Sequence, residues 1–193
     1  MNADETVQLT VTATNVGGST DDVTSSATYA SSDSAKATVS ATGLVTGKLD
    51  GSVTITASYS GKNTSLVFTV KKVLQNITTT PANTASVAAG SDLQLAATAK
   101  YAGAADATVT SQSSYVSSDP SKATVSAAGL IHGVAEGSAT ITVSYTEGGV
   151  TKSATIALTV TKAIASLAMT APKTTMNADE TVQLTVTATN VGG

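Results

Sequence analysis

One 31-residue stretch occurs twice in the chain, and that duplication limits the fold more than any other feature. The first copy, Tyr29–Tyr59, reads YASSDSAKATVSATGLVTGKLDGSVTITASY. The second, Tyr115–Tyr145, reads YVSSDPSKATVSAAGLIHGVAEGSATITVSY and lies 86 residues further on, without a gap. Each copy reads as strand, tight turn, short strand, glycine turn and long strand. Asp119 is placed to cap the tight turn and Pro120 suits its first position; Asp33-Ser34 stand there in the first copy. Gly43 and Gly129 fall between two short strands, where a turn with φ > 0 is expected. The long strand alternates Ala139, Ile141, Val143 and Tyr145 with Thr140, Thr142 and Ser144, and Val53, Ile55, Ala57 and Tyr59 repeat the pattern. A period of two means one buried face and one wet face. The predicted core of the domain around the second copy, residues 73–163, comprises Ala97, Val125, Ile141, Val143, Ile156 and Leu158.

The Ser-Ser-Asp block, the Lys-Ala-Thr-Val-Ser run (Lys36–Ser40, Lys122–Ser126) and the glycine spacing occur together, twice. This combination resembles the bacterial immunoglobulin-like group 2 domain, the invasin/intimin-like module, over nearly the whole chain. The family often has Trp before Ser-Ser-Asp. Tyr29 and Tyr115 stand there instead, which implies a lighter core. The resemblance implies an all-β fold of tandem immunoglobulin-like antiparallel β-sandwiches arranged end to end. Short strands with turn signals every ~8–12 residues, and no helical periodicity, agree with it.

Two domains of about 90 residues fit the length. The expected division is 1–72, a domain lacking its first strand; 73–163, a complete seven-stranded sandwich; and 164–193, the first strands of a further repeat. Met1–Gly18 and Met176–Gly193 are identical, MNADETVQLTVTATNVGG, at a spacing of 175 residues. The long period therefore holds two diverged domains, and the chain reads as a window on a longer array. Met1 reads as an internal residue, with no signal peptide at the start. Val7, Leu9, Val11 and Ala13 read as one amphipathic strand, 15–22 as a flexible loop and 23–31 as extended chain. Ser60–Asn63 reads as a hairpin loop, and Thr146–Gly149 as four residues added to the equivalent loop. Leu66, Phe68 and Val70 are expected to close the first domain. Pro81-Ala82-Asn83 interrupts the first strand of the second domain, which points to an edge strand that switches sheets. Residues 164–169 are expected to be extended and to pair with a first-type domain of another chain or of the next repeat.

Composition narrows the chemistry. Without Cys there is no disulfide, thiolate metal site or cysteine nucleophile. All ten basic residues are Lys and the net charge is −3, so neither a guanidinium fork nor a basic stripe exists and nucleic acid is not an expected partner. No apolar run is long enough for a membrane span. Val, Ile, Leu and Ala must build the core, because there is one Phe and no Trp. The single His, His132, replaces Thr46 of the first copy and reads as a surface strand residue. No serine elbow, zinc-protease, P-loop or dinucleotide motif accompanies it, so neither an enzyme nor a cofactor is expected. Asn63-Thr64-Ser65 and Asn76-Ile77-Thr78 match the N-glycosylation pattern, as chance allows in a Thr-rich chain. The resemblance implies that calcium stiffens the junctions of some such arrays. Asp21, Asp22, Asp4 and Glu5 (with Asp179-Glu180) are the calcium candidates, although they lack alternating Asp-x-Asp spacing and solvated loop charge is the simpler explanation.

The function that the resemblance and the long identical repeat imply is a structural repeat of a bacterial extracellular or cell-surface array, an adhesin stalk or filament acting as a spacer. Its partners are neighbouring repeats, by end-to-end contact or strand completion. The alternatives are a carbohydrate- or host-protein-binding module, for which loop residue Tyr101 is the one aromatic outside core-type positions, and an immunoglobulin-like domain of a phage virion.

Overall fold

The computed structural model describes residues 1–190; the last three residues of the expected 164–193 segment lie outside the described residues. In the first repeat the strands are β1 (Thr6–Gln8), β2 (Thr12–Thr14), β3 (Thr20–Asp22), β4 (Thr28–Ser31), β5 (Ala37–Val39), β6 (Leu44–Gly47), β7 (Gly51–Tyr59) and β8 (Lys62–Val70). They form sheets β1-β6-β5 and β4-β7-β8 and the hairpin β2-β3. The second repeat holds β9 (Val73–Thr80), β10 (Thr84–Ala88), β11 (Asp92–Gln94), β12 (Ala96–Ala102), β13 (Ala107–Thr108), β14 (Ser114–Ser117), β15 (Ala123–Val125), β16 (Leu130–Gly133), β17 (Gly137–Glu147) and β18 (Val150–Thr161). Its sheets are β10-β18-β17-β14, β11-β16-β15 and β13-β12-β9. β19 (Ile164–Thr170) and β20 (Thr185–Asn190) form a separate two-stranded sheet. Among the described residues the only helix is the 3-10 turn Thr110–Gln112. The chain is all-β, built of tandem immunoglobulin-like sandwiches. By compactness it divides into Met1–Asn76 with Ala99–Ala107, and Ile77–Thr98 with the chain from Thr108 onward.

The long strands behave as the alternation predicts. Ala139, Ile141, Val143 and Tyr145 are buried, as are Val53, Ile55 and Ala57, while the threonines between them face outward. Both long hairpins close through two-residue turns with left-handed backbone, Ser60-Gly61 (φ +46° and +72°) and Gly148-Gly149 (φ +57° and +78°). This geometry matches strand twist and needs glycine or a tolerant polar residue. The four extra residues of the second hairpin therefore lengthen strands rather than a loop: the β17-β18 ladder runs from Gly137 opposite Val160 to Glu147 opposite Val150, two pairs longer than the β7-β8 ladder from Gly51 opposite Val70 to Tyr59 opposite Lys62. Gly43 and Gly129 adopt φ of +78° and +76°, as their position between short strands requires. Each sits under a tyrosine. A Cβ on Gly43 would lie 2.9 Å from the Tyr29 hydroxyl, and one on Gly129 3.1 Å from that of Tyr115.

Several expectations need correction. The second repeat is not seven-stranded but ten-stranded, because two of its strands change sheets and so divide in two, and the short β13 is added beside β12. β9 pairs in one sheet, the chain breaks at Pro81–Asn83, and β10 then runs parallel to β18 at the edge of another. After Gln94 the Leu95 N–H donates to the Gly129 carbonyl and the Ala97 N–H to the Thr110 hydroxyl, which carries the strand from β11 across to β12. The first repeat breaks the predicted Val7–Ala13 strand in the same way, through Leu9 N–H to Gly43 O and Val11 N–H to the Thr24 hydroxyl. The predicted 15–22 loop contains β3, and Val23–Ala27 is a turn rather than extended chain. Tyr101 lies in β12, not in a loop. Val125 is half-buried, and Tyr59 and Leu66 are exposed rather than core.

Candidate assembly interface

In the second repeat, β9 pairs with β12 and buries Leu74, Ile77 and Thr79. β10 adds a parallel ladder along β18, with Ala85 opposite Leu158 and Val87 opposite Val160. Between them these strands close the sandwich over Leu95, Ala97, Ala99, Ile156 and Leu158, all buried. Residues 1–72 hold no segment corresponding to Val73–Thr80. Only the end of the parallel ladder is present, as the bridge between Asn2 and Lys71, with Met1 packed on the core where Val87 sits in the second repeat.

The first repeat is therefore open along one flank. Leu66 is 59% exposed, whereas its counterpart Ile156 is 0% exposed. Leu9, Val11 and Ala13 are only half-buried where Leu95, Ala97 and Ala99 are buried. Two adjoining grooves of about 380 and 430 Å³ run along this flank, sharing Val11, Thr12, Ala57 and Thr64. The hairpin β2-β3 corresponds to β12-β13. Among the described residues, β2 has no ladder partner on its second edge, where β12 has β9. An exposed strand edge beside an apolar groove is a template for pairing with another strand.

A strand of the corresponding kind is present elsewhere in the chain. β19 is antiparallel to β20, with Leu167 opposite Ala188 and Met169 opposite Val186. Residues 164–170 are exposed throughout, Ile164, Leu167 and Met169 by 63, 67 and 67%. Sequence reasoning anticipated an extended 164–169 but missed the groove. Its signal was the correspondence of Leu66 with Ile156 by their place in the two hairpins, opposite Ile55 and Ile141.

The remaining candidate residues make local contacts. Asp21 Oδ2 accepts from Asn15 Nδ2 at 2.8 Å, and Asp22 Oδ1 from the Thr24 N–H at 2.9 Å. Hydrogen bonds from the Thr24 side chain and backbone hold the Asp22 carboxyl below the usual range. Glu5 accepts from the Asn2 N–H at 2.5 Å, its counterpart Glu180 accepts from Asn177 N–H and pairs with Lys173, and Asp4 turns the chain at φ +64°. Among the described residues no three acidic or His side chains converge as a cation site would require. His132 Nδ1 lies 2.6 Å from Asp92 Oδ1 as an exposed cross-strand pair, in the place of Thr46 opposite Thr6. Lys72 Nζ stands 4.1 Å over the Tyr101 ring, which occupies one face of that aromatic. Gln8 ties its strand to the glycine turn by donating to the Thr42 carbonyl, and Gln94 does the same to Ala128.

The bacterial Ig-like domain (group 2) sequence model matches residues 1–70 and again 73–161. The chain belongs to the bacterial Ig-like group 2 family. One curated relative, Ice-binding protein 1 of Shewanella frigidimarina (strain NCIMB 400), is 35% identical over 138 residues, 71% of this chain. The chain spans 15% of that relative's length. Among solved structures, surface layer protein SbsC, domains 4–9, aligns over 92% of this chain and 30% of its own at 22% identity and a TM-score of 0.38. Titin A168169 aligns over 83% of this chain and 94% of its own at 11% identity and a TM-score of 0.40. Tyr29 and Tyr115 hold equivalent positions in the two repeats, and both are half-buried. Each hydroxyl donates to a backbone carbonyl five residues upstream, Thr24 and Thr110, at 2.8 Å. Among the described residues of this Ig-like chain no helix is long and apolar enough to cross a membrane.

Proposed function

We propose that the chain is a structural stretch of a long bacterial extracellular or cell-surface array, an adhesin stalk or filament. Its repeats act as a spacer that presents a distal tip or builds a fibre. The observation that supports this most is the identity of Met1–Gly18 with Met176–Gly193 at a two-repeat period. An identical repeat adds length without adding a new surface. Membership of the bacterial Ig-like family supports the same reading. The chain is then without catalytic activity and stable without metal, and its partners are neighbouring repeats, by end-to-end contact or strand completion.

A binding module is the second reading. The observation favouring it is the relative whose name assigns it ice binding, although the match covers 15% of that protein. Purified chain tested on a glycan array, on host cells and for ice-crystal shaping separates the two. The spacer reading expects no saturable binding and no shaping. Saturable binding that Tyr101→Ala abolishes would replace it with the binding-module reading.

A further inference from the structure

We infer that the turn at 103–106, between β12 and β13, is a plug that holds the core of residues 1–72 closed. The first repeat then takes part of its stability from a segment that follows its own last strand. All the residues involved belong to one compact unit, Met1–Asn76 with Ala99–Ala107. The inference concerns how that unit is stabilised and goes beyond the array reading, on which it does not rest.

The core in question is small. Ala3, Ala37, Val45, Val53, Ile55 and Val70 are buried together, and Ala102, at the end of β12, packs against them. A domain of this size buries little apolar surface, so each covering group counts. Gly103 follows at φ +76°, a left-handed conformation that glycine adopts without strain. Its missing side chain lets the backbone close in. A Cβ on Gly103 would lie 2.5 Å from the Ala3 Cβ and 2.7 Å from the Lys48 carbonyl oxygen. At that approach the Gly103 carbonyl accepts from the Asp50 N–H at 2.7 Å.

A second set of contacts closes a circuit. Asp50 Oδ1 accepts from the Lys72 N–H at 3.2 Å, and Lys72 Nζ stands 4.1 Å over the Tyr101 ring. A cation so close to a ring centroid is attracted by the ring's quadrupole. The contacts run from Gly103 to Asp50 between β6 and β7, on to Lys72 between β8 and β9, and back to Tyr101 in β12. Lys100 and Asp106 pair across the base of the turn. Each link positions the group that the next one needs, so the turn leaves as a whole or not at all. Lifting of the turn and opening of the core under it are therefore one event, a cooperative local opening.

The test is native-state hydrogen exchange of the full chain, read separately on β5, β6 and β7 and on β16, β17 and β18, beside three variants. Gly103→Ala puts a methyl where the turn meets Ala3 and Lys48. Ala102→Asp puts a charge against the core by an independent side chain. Gly149→Ala is the control: Gly149 has φ +78° and nothing within 4 Å of a Cβ, so it carries the same backbone strain without the contact. Gly103→Ala and Ala102→Asp are each expected to speed exchange in β5, β6 and β7 roughly tenfold or more, and to leave β16, β17 and β18 within about twofold. Gly149→Ala is expected to act on the β17-β18 hairpin alone. An unchanged rate in β5, β6 and β7 in either of the first two variants overturns the proposal. So does the same rise in Gly149→Ala, or an equal rise in β16, β17 and β18. Exchange reads neither binding nor length, so the spacer reading stands or falls separately on the binding screen.

Discussion

The two repeats offer a matched pair of substitutions, Ile156→Ala and Leu66→Ala, at one strand position in two environments. Each removes three carbons. Ile156 is 0% exposed and lies opposite Ile141, also 0% exposed, in the β17-β18 ladder. Three fully buried carbons at about 0.8 kcal/mol each come to ~2.4 kcal/mol, and the unfilled cavity raises the cost toward the upper part of the ~2–5 kcal/mol range. Leu66 lies opposite Ile55 in the same way but is 59% exposed. Only about two-fifths of its transfer energy is realised, near 1 kcal/mol, and its site opens to water, so no closed cavity is left. In a domain of about 90 residues each kcal/mol moves Tm by roughly 4–8 °C. Scanning calorimetry of dilute full chain, with hydrogen exchange read separately on β8 and β18, measures both. Ile156→Ala is expected to lower the second repeat's melting by more than ~10 °C and Leu66→Ala the first repeat's by less than ~8 °C. Equal losses, or a larger loss at Leu66, would refute the view that the first repeat's flank is open.

Gly129→Ala forces a Cβ into a left-handed turn 3.1 Å from the Tyr115 hydroxyl, so it is expected to destabilise by at least ~1 kcal/mol; an unchanged urea midpoint contradicts this. Burial holds the phenols of Tyr115 and Tyr29 above their ordinary value of 10.0, with the Asp22 charge adding to the effect at Tyr29. The raised folded pKa means this contribution is complete below pH ~10 and lost as pH rises through the folded value. Tyr115→Phe is therefore expected to flatten part of the alkaline fall in stability, and an identical fall in the variant contradicts it. Chelation by EDTA is expected to leave the melting profile unchanged; a calcium-dependent rise that Asp21→Asn or Asp22→Asn removes would establish a site there.

The long hairpins, the glycine turns and the sheet switch at Pro81 were legible in the sequence. Each rests on a local rule: a period of two, a φ that only glycine adopts readily, an amide without a hydrogen. The strand breaks at Leu9 and Leu95 were not. They depend on Gly43 and Gly129 carbonyls that approach from 34 residues away, and on the Thr24 and Thr110 hydroxyls that take the next free N–H. The exposure of Leu66 was misread for a related reason. Its alternation with Phe68 and Val70 is that of a core strand, and alternation reports which face a residue shares, not whether anything covers that face. Calcium at the acidic pairs Asp21-Asp22 and Asp4-Glu5 was suggested by the family resemblance and not by a ligand spacing; Asp21, Asp22 and Glu5 accept hydrogen bonds within their own turns, and Asp4 bends one of them.

The measurement that bears most directly on the array reading is the maximum dimension, by small-angle X-ray scattering, of proteins holding one, two and three successive 175-residue periods. A spacer predicts a dimension that grows by the same increment with every period added. Growth that levels off as periods are added, as in a chain that collapses on itself, would contradict the account.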